Sequence, residues 1–205
     1  MSTDATAESV ALTYFNDSEA RSVEAIAERL IPDDGSGTGA TIAGVVYYID
    51  RAISGFSTKL QPIYRRGLRD LQAYCGERYG KGFEELNTST QDGIIASVLG
   101  PATSEADSTD AGLPTYPLPP AAARMLTVVR EHTIEGFFCD PVYGGNRDAV
   151  GWKLVGFPGA YWGYTAKQMG PGVDGRALPI KTLSDLRKEL QTRPDNATYT
   201  RNEEN

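Results

Sequence analysis

Histidine occurs once in this 205-residue chain, at His132, and cysteine twice, at Cys75 and Cys139. A hydrolase triad or a histidine acid–base pair needs an imidazole held by a carboxylate and facing a nucleophile. The single imidazole lies mid-helix, beside Glu131 and four residues before Gly136, where a packed or surface histidine is the expectation. One His and two distant Cys do not assemble a zinc site, and no Cys-x-x-Cys or multi-cysteine run offers a redox pair, a haem or an iron–sulfur cluster. No apolar run approaches the ~20 residues that a bilayer-crossing helix requires, so direct membrane insertion is not expected. Positive charge is also in deficit, with 20 Lys and Arg against 27 Asp and Glu and a formal net charge of −7. A phosphate backbone would be repelled, and nucleic acid is not an expected partner. The N-terminus has neither a basic start before an apolar run nor a twin arginine. As written, the sequence predicts a cytoplasmic chain, or a periplasmic one if it is exported with a partner or has lost a signal.

What is present is ordinary globular composition, 40% hydrophobic and 23% charged, in a chain long enough to bury about 70% of its unfolded surface. The expectation is one domain over residues 1–205. It comprises an N-terminal extension (1–15), a helical core (16–138) with a linker at 101–119, an irregular segment (139–180), and a short helix with a polar tail (181–205).

Asn16 with Glu19 forms a capping-box pattern, and Ala20, Val23, Ala27 and Leu30 recur at helical spacing until Pro32. Ile42, Val45, Val46, Ile49 and Ile53 trace a second helix that Gly55 ends. Leu60, Ile63, Tyr64, Leu68, Leu71 and Tyr74 trace a third, with Pro62 in its first turn and Gly80 beyond its end. Thr88 and Gln91 open a fourth, which Gly100 and Pro101 stop. Pro120 starts a fifth, followed through Met125, Val128, Val129, His132 and Gly136. The fold class predicted is all-α, a compact bundle of about five helices. "SDLRKELQ" adds a last short helix after a stretch too rich in glycine and proline for a long helix or central strand.

Two glycine-rich stretches invite a nucleotide reading. "DDGSGTGAT" lacks the Lys-Ser/Thr ending of a phosphate loop, and Asp33 and Asp34 oppose a phosphate, so an interhelical loop is expected. "YGGNRD" is short of any nucleotide fingerprint and reads as a tight turn. From Phe137 to Tyr164, however, large rings crowd a glycine-rich backbone. Trp152, Phe157, Tyr161, Trp162 and Tyr164 are of the type that anchors interfaces, with Arg147, Asp148 and Lys153 as polar company. Composition leaves open whether these rings dock a partner or close the chain's own core.

The residues "EGFFCDPVYGGNRDAVGWKLVGFPGA", together with "IAERLIPDD" and "AGVVYYIDRAISG", resemble the gluconate 2-dehydrogenase subunit 3 family, the small or gamma subunits of bacterial FAD-dependent sugar and polyol dehydrogenases. The resemblance covers most of Ala25 to Ala160, and "GFEELNTSTQDGIIASV" adds to it weakly. It implies a subunit that is not catalytic by itself, within a complex acting on CH–OH groups. Its partner would be a large flavoprotein of the glucose–methanol–choline type, which carries FAD and the catalytic histidine. Some such complexes add a cytochrome c subunit. No cofactor is then expected in this chain. The aromatic segment becomes the partner-binding part, wrapping the flavoprotein through Tyr143, Asn146, Arg147, Asp148, Trp152, Lys153, Phe157, Tyr161 and Trp162, with glycines letting the backbone follow the partner's contour. Cys139 falls within the signature. An intersubunit disulfide follows from it if the assembly is periplasmic, against a buried unpaired thiol. The rival readings are a free-standing helical module that binds a small ligand between the same rings, and an enzyme using Asp140, Arg147 and His132.

Overall fold

The computed structural model describes residues 11–100 and 117–192. Among these are seven α-helices and no strand: α1 (Asp17–Leu30), α2 (Val45–Ser54), α3 (Gln61–Tyr79), α4 (Thr88–Leu99), α5 (Pro120–Phe138), α6 (Val150–Val155) and α7 (Leu183–Thr192). Most of the linker and nearly all of the polar tail lie outside the described residues, as do residues 1–10 of the N-terminal extension.

Helix α5 is the axis of the bundle and packs against α1, α2, α3, α4 and α6. Its Met125, Leu126, Val129 and Phe137 are fully buried, facing Ile26 of α1, Ile49 and Ile53 of α2, and Tyr64 and Leu71 of α3 across one continuous core. Each such side chain taken out of water contributes roughly 1.5–3 kcal/mol.

The helix ends follow local chemistry. Asn16 and Glu19 form the expected reciprocal box, with the Glu19 N–H donating to Asn16 Oδ1 at 2.9 Å and the Asn16 N–H donating to Glu19 Oε2 at 3.0 Å. Pro62 lies in the first turn of α3, and Gly80 caps it in the left-handed region. Two boundaries differ from the sequence reading. Helix α2 starts at Val45 because residues 40–44 form turns whose Ala43 carbonyl accepts the Arg147 N–H at 2.9 Å, leaving Ile42 outside the apolar stripe. Helix α4 is capped by Asn87 rather than Thr88, while Gln91 turns inward and donates to the Phe83 carbonyl at 2.9 Å. Helix α5 runs from Pro120 through Gly136 to Phe138, the end of the stretch the sequence marks as helical.

The chain ahead of α1 is tied to α2 through one carboxylate. Asp50, buried on α2, accepts the N–H groups of Thr13, Tyr14 and Phe15 at 2.7–2.9 Å and the Thr13 hydroxyl at 2.6 Å. Burial pushes its pKa up. The Thr13 hydroxyl and the three N–H donors outweigh that and hold it below the usual carboxylate value.

Candidate partner-binding surface

After α5 the chain folds back onto that helix's own C-terminal end. Glycine permits the contact: a Cβ on Gly145 would stand 2.1 Å from the Gly136 carbonyl oxygen, and one on Gly151 would stand 2.1 Å from that of Phe137. Gly145 and Gly151 therefore serve packing against α5. Asp140 pins both ends of the excursion, accepting the N–H of Val142 at 3.0 Å and that of Leu183, the first residue of α7, at 2.7 Å. Between these points the segment is less irregular than its composition predicts, because it contains the two-turn helix α6.

The turn leading into α6 is strained. Asn146, Asp148 and Ala149 have φ of 45°, 55° and 55°, the left-handed region that costs a non-glycine residue about 1–3 kcal/mol outside its few tolerated settings. Asn146 holds it in place: fully buried, it donates to the Cys139 carbonyl and accepts the Gly151 N–H, both at 2.8 Å. The consequence is that Arg147 and Asp148 project outward, the Arg147 guanidinium lying 5.5 Å from the centre of the Tyr47 ring.

The nine residues expected at a partner surface thus divide. Trp152 is only 5% exposed, its indole Nε1–H donating to the Phe138 carbonyl at 2.8 Å, and Asn146 is likewise interior. These two shape the surface without forming it. Tyr143 (52% exposed), Phe157 and Trp162 (58%) face outward with Arg147, Asp148 and Lys153. Phe157 stands edge-on to Trp152, ring centres 5.2 Å apart. Tyr161 is half-buried, stacks on Tyr164 and donates its hydroxyl to the Pro179 carbonyl.

A second apolar feature adjoins Tyr143 and escaped the sequence reading. Phe56 (74% exposed), Ile134 (50%), Phe138 and Tyr143 rim an open groove of about 470 Å³, with Tyr48, Glu135 and Cys139 completing its wall. Ile134 and Phe138 are one turn apart on α5, outside the apolar stripe that fills the core, and Phe56 directly follows the glycine that ends α2. Those offsets are the sequence signal that the groove leaves. So many large apolar side chains meeting at a surface form an apolar patch of the kind that contact sites use.

The family model for gluconate 2-dehydrogenase subunit 3 matches residues 17–159, from the start of α1 to the residue whose backbone bridges Lys181. The chain belongs to this family. The curated proteins and the solved structures contain no match. As a member of the gluconate 2-dehydrogenase subunit 3 family, the chain is related to small subunits of a dehydrogenase complex. The groove and the strained turn lie within the matched span, whereas Tyr161 and Trp162 lie beyond it.

Among the described residues, His132, Asp140 and Arg147 of this family member are not brought into one site. His132 is buried, with Nδ1 2.9 Å from the Tyr64 hydroxyl and its ring stacked on Tyr64. Burial lowers its pKa despite the opposing fields of Glu135 and Glu131. Asp140 is spent on backbone N–H groups. No hydrogen bond or ion pair joins His132, Asp140 and Arg147 among the described residues. In "DDGSGTG" the Asp33 carboxylate accepts the N–H groups of Gly35, Gly37 and Thr38, so an acid of the loop itself takes the donors a phosphate would need. In "YGGNRD" the space beside Gly145 is taken by the Gly136 carbonyl of α5 and that beside Gly144 by the Arg51 side chain. Neither stretch fits a nucleotide cofactor. Among the described residues no cluster of three His, Cys, Asp or Glu side chains could hold a metal ion, and no helix is long and apolar enough to cross a membrane. Cys75 is buried and Cys139 half-buried, both as free thiols.

Proposed function

We propose that the chain is the noncatalytic small subunit that binds and stabilises an FAD-carrying large subunit of the glucose–methanol–choline type, in a complex oxidising a CH–OH group of a sugar, sugar acid or polyol. The observation that carries this reading is the outward-facing aromatic surface after α5, Tyr143, Phe157 and Trp162, in a member of this family. Exposed rings beside satisfied polar groups suit a protein partner, because aromatic anchors give large contact area at low side-chain entropy cost. Flavin and the catalytic acid–base groups are assigned to the large subunit. A partner that binds only the native flavoprotein raises its apparent stability by mass action, about 2.7 kcal/mol when present at 100 times its Kd. That is the mechanism we assign to this subunit.

Coexpression with the flavoprotein encoded in its genome neighbourhood, capture through this chain and an absorption spectrum of the eluate test the reading. Co-elution of a flavin-bearing large chain is expected, and elution of the small chain alone under those conditions rejects it. A free-standing ligand module predicts instead a ligand-dependent rise in the isolated chain's Tm.

A further inference from the structure

We infer that the groove between α2 and α5 receives a segment of the large subunit that sets an apolar side chain between Phe56 and Tyr143 and an arginine or lysine against Glu135. The inference rests on the functional reading above and adds the place and the chemistry of the contact. Phe56, Ile134, Phe138 and Tyr143 supply the apolar demand, since each holds a third or more of its surface in water. The charge demand comes from Glu135. Its Oε2 accepts the Tyr48 hydroxyl at 2.9 Å, and no cation pairs with either oxygen among the described residues.

The nearby cations do not meet that demand. Arg51 lies against Gly144 and reaches the Val142 carbonyl, while Arg130 precedes Ile134 by one turn on the flank away from Glu135. Glu131, exposed one turn before Glu135 on α5, adds a second negative charge nearby. Any chain that seals this groove removes Glu135 from water, and a buried carboxylate without a counter-charge is costly. An apolar occupant alone would therefore be rejected, and one that brings a cation is selected.

The test uses the captured complex of the two full-length chains. Phe56→Ala and Glu135→Gln each lower affinity about tenfold or more, as expected for a central anchor and for one partner of a desolvated charge pair. Gln retains an acceptor for the Tyr48 hydroxyl, so the free Glu135→Gln chain keeps its Tm. In that variant the affinity also loses much of its dependence on salt. Wild-type binding with both variants equally tight overturns the groove and leaves the functional reading standing. Absence of wild-type binding overturns both. Self-association of the isolated wild-type chain that Phe56→Ala abolishes assigns the groove to a second copy and overturns the inference.

Discussion

The indole of Trp152 and the backbone carbonyl of Phe138 are joined by a 2.8 Å hydrogen bond, fastening α6 beneath the end of α5. Trp152→Ala removes that bond and opens a cavity, and should destabilise the free chain by about 3–5 kcal/mol in a urea titration. Trp152→Phe should recover part of the loss by refilling volume. Any fall in partner capture for Trp152→Ala should then track the fraction unfolded. Gly151→Ala should be comparably severe, because its new methyl meets the Phe137 carbonyl.

Asp50→Asn should free the segment before α1. The asparagine keeps one acceptor oxygen where the carboxylate served four donors, and a loss of about 1–3 kcal/mol is expected. Because the folded pKa of Asp50 is depressed, its contribution is complete above the unfolded carboxylate pKa of roughly 3.9 and disappears as pH falls through the lower folded value. Wild type should lose stability across that acid window, and the variant should lose less. Tm against pH reads the difference.

His132 acts in the same direction over a different window. Burial keeps its imidazole neutral when folded, so protons bind preferentially to the unfolded chain below its ordinary pKa of about 6.5. Stability should fall by up to roughly 1.4 kcal/mol per pH unit from there down to the depressed folded pKa. His132→Gln should flatten that limb at the cost of a lower plateau, since the stacked pair with Tyr64 is lost.

Cys139 should react slowly. Burial pushes its thiol up to about 11, although a backbone N–H contact from Gly145 opposes this, and burial pushes Cys75 up to about 12. The thiolate is the reactive species, so iodoacetamide at neutral pH should label the folded chain far more slowly than the urea-unfolded chain. Nonreducing electrophoresis of the complex should show two separate chains. A single larger band would assign Cys139 to a bridge with its partner.

The parts of this fold legible in sequence were those decided within a few residues. The Asn16–Glu19 box, Pro62 and Pro120 in first turns and Gly80 beyond α3 all act locally, and each stands where periodicity places it. Helix α6 was not legible, because Gly151 and two valines give it little intrinsic helicity and contacts with Asn146 and Phe138 hold it instead. The same limit applies to the site. Phe157 and Trp162 were picked out by residue type and Tyr143 through the family resemblance, and all three are exposed. Trp152 has the same type, and only the position of the Phe138 carbonyl shows that it lies inside. The groove draws on residues from α2, α5 and the turn after α5, so no single window of sequence contains it.

The edge-on contact of Phe157 with Trp152 links a ring at the surface to one in the interior. Of the chain's two tryptophans the other is exposed Trp162, so replacing Trp162 with phenylalanine leaves a single emitter seated directly under the aromatic face. Its fluorescence spectrum and quenching by acrylamide would follow assembly in real time, without any attached dye.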